Sequence, residues 1–165
     1  MNISSARLEV IDLTLHHASF ILKLVNTPDW LKYIGDKKVY TLEQAEAFIQ
    51  NLLEDPHRNY WPVRLKENHV AIGVIALIQR DYLQHPDFGF AFLPEYYKKG
   101  YAIEASASVL ENFGIQNINP IHGITLTENE NSIQLLKRLG FELEKEFTKD
   151  GESLYLFTLK QKTNS

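Results

Sequence analysis

With 165 residues, 44% of them hydrophobic and 23% charged, the chain has the size and balance of one globular domain, and no linker, repeat or low-complexity stretch divides residues 1–165. A net charge of -4 argues against a general nucleic-acid binder, and the absence of cysteine excludes disulfides and thiolate metal sites. The longest apolar run, Val70 to Ile78, is interrupted by Gly73 and too short to cross a bilayer, and Met1 to Val10 has no signal-like apolar core, so a cytoplasmic protein without membrane contact is expected.

Ala6 to Ile11 alternates loosely and reads as a first strand. Leu15 to Val25 carries Ala18, Ile21, Leu22 and Val25 at helical spacing, and the Pro28 segment ends it. Thr41 and Gln44 form a capping box ahead of a second helix whose apolar face is Ala45, Phe48, Ile49, Leu52 and Leu53, closing near Pro56. Strands follow at Tyr60–Leu65, Val70–Gln79 and Phe88–Leu93, with a turn at Asn68-His69. A helix pattern runs from Ala102 to Phe113, a short strand from Ile121 to Leu126, and a helix from Ile133 to Leu139 with Gly140 just past its end. Glu142–Phe147 and Ser153–Leu159 form a hairpin around Lys149-Asp150-Gly151. The order implies an α/β fold, a mixed sheet with helices on both faces.

The segment richest in chemistry is the short loop from Pro94 to Gly100 that feeds the helix at Tyr101. First-turn N–H groups lack helical partners and carry the positive end of the helix dipole, so they can hold a phosphate. Gly100 and Ala102 keep side chains out of the way, and Lys98 and Lys99 add positive charge. A plain strand-to-helix turn with two solvated lysines satisfies the same residues. Asn129 is a candidate N-cap for the next helix, and Ser132, three residues on, can face the same way. Six histidines are present, but His16 and His17 point to different sides of a helix and the rest are scattered, so no metal site is expected. No Gly-x-x-x-x-Gly-Lys-Ser/Thr motif points to nucleotide hydrolysis.

Tyr97-Lys98-Lys99-Gly100-Tyr101-Ala102-Ile103-Glu104-Ala105, with Pro94-Glu95-Tyr96 before it, resembles the coenzyme A loop of the GNAT N-acetyltransferase superfamily, in the branch typified by ribosomal-protein N-terminal (alanine) acetyltransferases. Arg7-Leu8, Tyr33-Ile34-Gly35-Asp36, Ile72-Gly73-Val74-Ile75, Thr127 to Ile133 and Leu139-Gly140-Phe141 extend the resemblance along nearly the whole chain. It implies one GNAT domain: a mostly antiparallel sheet of about seven strands flanked by four helices, splayed between the fourth and fifth strands. It also implies acetyl-CoA as cosubstrate, bound by Phe92, Leu93, Lys98, Lys99, Gly100, Tyr101, Ala102, Asn129 and Ser132. In that branch the matching serine lies near the thiol, which makes Ser132 a candidate acid for the leaving thiolate. A backbone N–H near Leu93 would polarise the thioester. Tyr97 and Lys98 depart from the Gln or Arg and the Gly usual at those positions.

The acceptor is an amine, and here the sequence leaves alternatives open. An α-amine of pKa about 7.7–8.0 is roughly 10–20% neutral at pH 7, whereas a lysine at about 10.4 is neutral only about 0.04% of the time. A related branch keeps a glutamate base where this chain has Thr125, so a low-pKa amine, a protein or peptide N-terminus, is favoured. Asp36, Asp87, Glu104 and Glu128 are the other carboxylates considered as bases. Aromatic clustering around the second helix makes Trp30, Tyr33, Tyr40 and Trp61, with Phe90, the candidate acceptor wall. A small-molecule amine acetylase and a non-catalytic acyl-CoA sensor stay open, as do monomer and homodimer.

Overall fold

The computed structural model describes residues 1–112 and 117–161. Among them, eight strands form one sheet in the order β1-β2-β3-β4-β5-β6-β8-β7. These are β1 (Asn2–Ser4), β2 (Leu8–Ile11), β3 (Arg58–Leu65), β4 (Ala71–Ile78), β5 (Asp87–Phe92), β6 (Ile121–Leu126), β7 (Glu142–Lys149) and β8 (Glu152–Leu159). Four α-helices accompany them: α1 (Ala18–Leu24), α2 (Leu42–Glu54), α3 (Tyr101–Asn112) and α4 (Glu130–Arg138). The extra strand comes from the N-terminus. Ser5 N–H bonds Leu8 C=O at 2.9 Å, turning the chain so that Asn2–Ser4 pairs with β2. Three residues with one apolar side chain carry too little pattern to be read from sequence. The expected end of α3 at Phe113 lies outside the described residues.

The helices cover both faces. α3 and α4 pack on a core of Leu8, Val63, Ile72, Phe88, Ile121, Phe141 and Phe157. α1 and α2 lay Ile21, Leu24, Ala45 and Ile49 against Trp30, Val74 and Leu93 on the other. Each fully buried side chain of this size contributes about 1.5–3 kcal/mol. The Thr41 hydroxyl accepts the Gln44 N–H as expected, but the Gln44 side chain reaches past it to the Tyr40 N–H at 2.7 Å. Past α4, Phe141 N–H bonds Leu136 C=O and Gly140 N–H bonds Lys137 C=O, both at 3.0 Å, a Schellman ending. Between α1 and α2 the aromatic segment Trp30–Ile34 forms one π-helical turn, which the sequence pattern did not disclose.

All strand pairs are antiparallel except β5 with β6, which run parallel and touch in register only at Asp87 and His122. Beyond that point they diverge, as the splay expectation required. No helix of the described residues is long and apolar enough to cross a membrane.

Candidate active site

The diverging strands open a cleft of about 720 Å³ through the sheet. Register decides what β5 offers to it. Leu93 N–H bonds Ile72 C=O at 2.9 Å, so alternate residues along β5 bond β4, and the peptide groups of Phe90 and Phe92 point instead toward β6. The sheet leaves those groups without a strand partner because β6 has already moved away. They are ready to pair with an extended ligand arm, or to direct an N–H at a polarised carbonyl. Leu93, expected to do this, has its N–H bonded and its side chain buried among Val74 and the α1–α2 residues, off the cleft wall. Phe88, Phe90 and Phe92 point to the α3 face, and Gly89 and Ala91, on the opposite face, keep the gap open. Gly73 sits opposite Phe92, where an added Cβ would lie 2.4 Å from the ring. Only glycine leaves room for the Phe92 ring there.

At one end of the cleft stands the turn into α3. The first helical bond joins Glu104 N–H to Gly100 C=O at 3.1 Å, which leaves the N–H groups of Tyr101, Ala102 and Ile103 without helical partners. Gly100 has φ +79°, a region that favours glycine, and Lys98 reaches φ +60° despite its side chain. Lys98, Gly100, Tyr101 and Ala102 line the cleft, while Lys99 turns outward with its ammonium 5.8 Å from the Tyr96 ring centre. The sequence did not reveal what holds this turn. Arg7 donates from Nη1 to Lys99 C=O at 3.0 Å and from Nε to Glu104 at 2.8 Å, and its guanidinium lies 4.4 Å from the Tyr101 ring centre. Ser5 and Arg7 together hold the Glu104 carboxyl below the usual range, against the opposing effect of burial. These donors, with the free groups of Phe90 and Phe92, fit a pyrophosphate joined to an extended amide-bearing arm.

Asn129 and Ser132 line the β6 side. The Asn129 side chain caps α4 by accepting Ser132 N–H at 3.3 Å, so both its N-cap role and its place on the cleft are met by one residue. Ser132 is half-buried there, and Leu136, buried against the position of Gly123, also reaches the wall.

The far end collects side chains from several elements. Trp30, Tyr33 and Phe90 line it, joined by Tyr60, Tyr82, Arg80 and Lys149, which the sequence did not single out. Two expected residues do not. Tyr40 is 60% exposed and donates its hydroxyl to Asp36 at 2.8 Å, and Trp61 packs into the core with Leu8 and Val10. Of the four carboxylates considered as bases, Asp87 alone lines the cleft; Glu104 serves Arg7, and Asp36 serves Tyr40. Asp87 is buried, accepting Arg80 Nε at 2.9 Å and Ile124 N–H at 3.0 Å, so it braces the base of the splay. Burial pushes its carboxyl up, and Arg80 opposes that. Thr125 is buried on β6 with its hydroxyl toward Leu126 C=O. Among the described residues no group of three His, Cys, Asp or Glu is arranged to hold a metal ion.

Comparison with known proteins agrees with this geometry. The family model described as "Acetyltransferase (GNAT) domain" matches residues 7–142. The Bacillus subtilis (strain 168) protein "Uncharacterized N-acetyltransferase YnaD" is 30% identical over 90% of this chain and 87% of its own length. Among solved structures, the ribosomal-protein-S5-alanine acetyltransferase from Vibrio fischeri superposes with a TM-score of 0.80 at 21% identity, covering 98% of this chain and 97% of that one. The spermidine N-acetyltransferase from Vibrio cholerae, solved with CoA and spermine, gives 0.79 at 21% identity, covering 95% and 97%. With a family model across most of its length and a curated relative along nine-tenths of it, the chain belongs to the GNAT acetyltransferase family and is an N-acetyltransferase.

Proposed function

We propose that the protein transfers the acetyl group of acetyl-CoA to the α-amine of a protein or peptide, in the manner of the ribosomal-protein branch. The cosubstrate supplies an acyl carbon activated by its thioester. The N–H groups at Lys98–Ala102 hold the pyrophosphate, and Asn129 with the peptide groups of Phe90 and Phe92 aligns the arm. One of those N–H groups faces the thioester oxygen and stabilises the charge that grows there. The amine nitrogen bonds to the carbonyl carbon, the carbon–sulfur bond breaks, and the thiolate takes a proton from the Ser132 hydroxyl, which water restores. The extra proton on nitrogen passes to water; no strong base is needed ahead of attack, because a fair fraction of an α-amine is already neutral.

The observation that carries the choice of acceptor is the pairing of Asp87 with Arg80 at the base of the splay. Asp87 is taken by Arg80, and Lys149 brings a second positive charge to the same wall. Asp29, Asp150 and Glu152 are the other carboxylates of the lining; Asp150 lies 3.8 Å from Lys149 Nζ, and Glu152 is exposed on the hairpin. Such a wall suits one uncharged amine better than a polycation, which needs several free carboxylates. The test measures thiol released from acetyl-CoA with two versions of one peptide. A free α-amine should react faster than the same peptide with a blocked terminus and a single lysine. Faster reaction at the lysine would overturn the α-amine reading.

A further inference from the structure

The turn ahead of α3 has an unusual backbone. Lys98 and Gly100 have φ +60° and +79°, and Lys99 between them lies outside that region. Alternation of this kind turns successive N–H groups to one side of the chain, a concavity that suits an anion. Such a turn does not hold itself. A glycine passes readily between positive and negative φ, and a lysine at positive φ is kept there by its surroundings. The peptide plane between Lys99 and Gly100 is therefore the one most free to rotate, and rotation would put a carbonyl oxygen where the concavity has an N–H.

Arg7 removes that freedom. Its Nη1 donates to Lys99 C=O at 3.0 Å. The Lys99–Gly100 peptide is trans, so its C=O and the Gly100 N–H point in opposite directions. With the C=O held toward Arg7, the N–H points away from it. Gly100 lines the cleft and Arg7 does not, so the side away from Arg7 is the cleft. Arg7 is itself fixed from several directions. Its Nε donates to Glu104 Oε1 at 2.8 Å and its backbone N–H to Oε2 at 3.0 Å, and its guanidinium lies 4.4 Å from the Tyr101 ring centre. The Ser5 hydroxyl donates to the same Oε2 at 2.6 Å. Arg7 and Glu104 cancel in charge, so what Arg7 brings to the turn is direction. A planar fork can serve the carbonyl and the carboxylate at once, which a single ammonium cannot.

We infer that Arg7 is a positioning residue of the cosubstrate site: by holding Lys99 C=O it aims the Gly100 N–H into the cleft, alongside those of Tyr101, Ala102 and Ile103. The N-terminal segment thereby belongs to a site that lies 92 residues further along the chain. The inference rests on the reading of this turn as the pyrophosphate site.

Titrations with coenzyme A and with pantetheine, which keeps the arm and the thiol but has no pyrophosphate, need no acceptor. Arg7→Met keeps an apolar stem and removes the donors. It should weaken coenzyme A by about tenfold, or about 1.4 kcal/mol, and leave pantetheine unchanged. Arg7→Lys, with one ammonium for two acceptors, should lose less, again for coenzyme A alone. The Gly100 amide, followed by hydrogen exchange, should be protected by coenzyme A in the wild type and not in Arg7→Met. Urea unfolding checks each variant, and if Arg7→Met does not fold, Arg7→Lys carries the same comparison. Wild-type affinity for coenzyme A in the folded variants, or an equal loss for both ligands, would overturn the role of Arg7 while leaving the cofactor site intact. A wild type that binds coenzyme A no more tightly than pantetheine would instead overturn the pyrophosphate reading, and the role of Arg7 with it.

Discussion

The two ends of the cleft are built on different principles. The proposed cofactor end is made mostly of backbone: unpaired N–H groups at the start of α3, peptide groups of Phe90 and Phe92 left over by strand register, and a glycine at φ +79° that lets the chain turn. The proposed acceptor end is made of side chains, with Trp30, Tyr60, Arg80 and Lys149 drawn from four separate segments. A backbone site tolerates many side-chain changes and fails when its geometry fails. A side-chain site fails residue by residue. The same fold can therefore keep one cosubstrate while its acceptor changes.

Four substitutions probe that contrast, the largest effect first. Asp87→Ala removes the acceptor of both Arg80 Nε and Ile124 N–H at the base of the splay. It should lower unfolding free energy in urea by about 3 kcal/mol, the low end for breaking a buried pair, because the Arg80 side chain keeps 33% exposure and can turn to water. Ser132→Ala should lower kcat about a hundredfold, the low end for a general acid because a thiolate leaves readily, with acetyl-CoA affinity nearly unchanged in calorimetry. A wild-type kcat where chemistry limits the rate would pass the proton's role to water. Gly100→Asp puts a carboxylate at the proposed pyrophosphate position, and since aspartate tolerates positive φ the fold should survive. Acetyl-CoA affinity should fall at least about tenfold, about 1.4 kcal/mol, and an unchanged affinity in the folded variant would remove this turn from the site.

The smallest effect concerns pH. The Glu104 carboxyl is held low by Ser5 and Arg7 despite burial. Its folded value lies below its unfolded value of about 4.3, so its contribution to stability is present above that pH and is lost as pH falls through the folded value. Stability measured in urea from about pH 6 to about pH 3 should fall more steeply in the wild type than in Glu104→Gln. Parallel curves would mean that Arg7 holds the turn through Lys99 C=O without drawing on the carboxylate charge.

The contrast also explains what could be read from the sequence. Gly100, Tyr101 and Ala102 sit in one short stretch between a strand and a helix, and Asn129 with Ser132 in another, so local pattern could single out both as cleft-lining stretches. The same holds for the helix faces and the Asp150-Gly151 hairpin. Local pattern could not say which peptide groups on β5 are free. Leu93 and Phe92 differ by one step, and the choice between them is made by pairing with β4, some twenty residues away. Arg7 reaches its turn across 92 residues, which no spacing rule anticipates. At the acceptor end Trp30, Tyr33 and Phe90 fell on the wall while Tyr40 and Trp61 did not, since an aromatic residue in a sequence looks the same whether it faces core, solvent or cleft. Asp87 left one signal, a carboxylate at the head of an otherwise apolar strand.

The central claim is that this cleft delivers acetyl from acetyl-CoA to a single α-amine. Its most direct test compares thiol release from acetyl-CoA with a free-N-terminus peptide and with spermidine, at equal concentration and neutral pH. The account predicts acetyl-CoA-dependent turnover with the peptide well above that with spermidine. Faster turnover with spermidine would contradict it, and would mean that the carboxylates of the cleft wall hold a polycation despite Arg80 and Lys149.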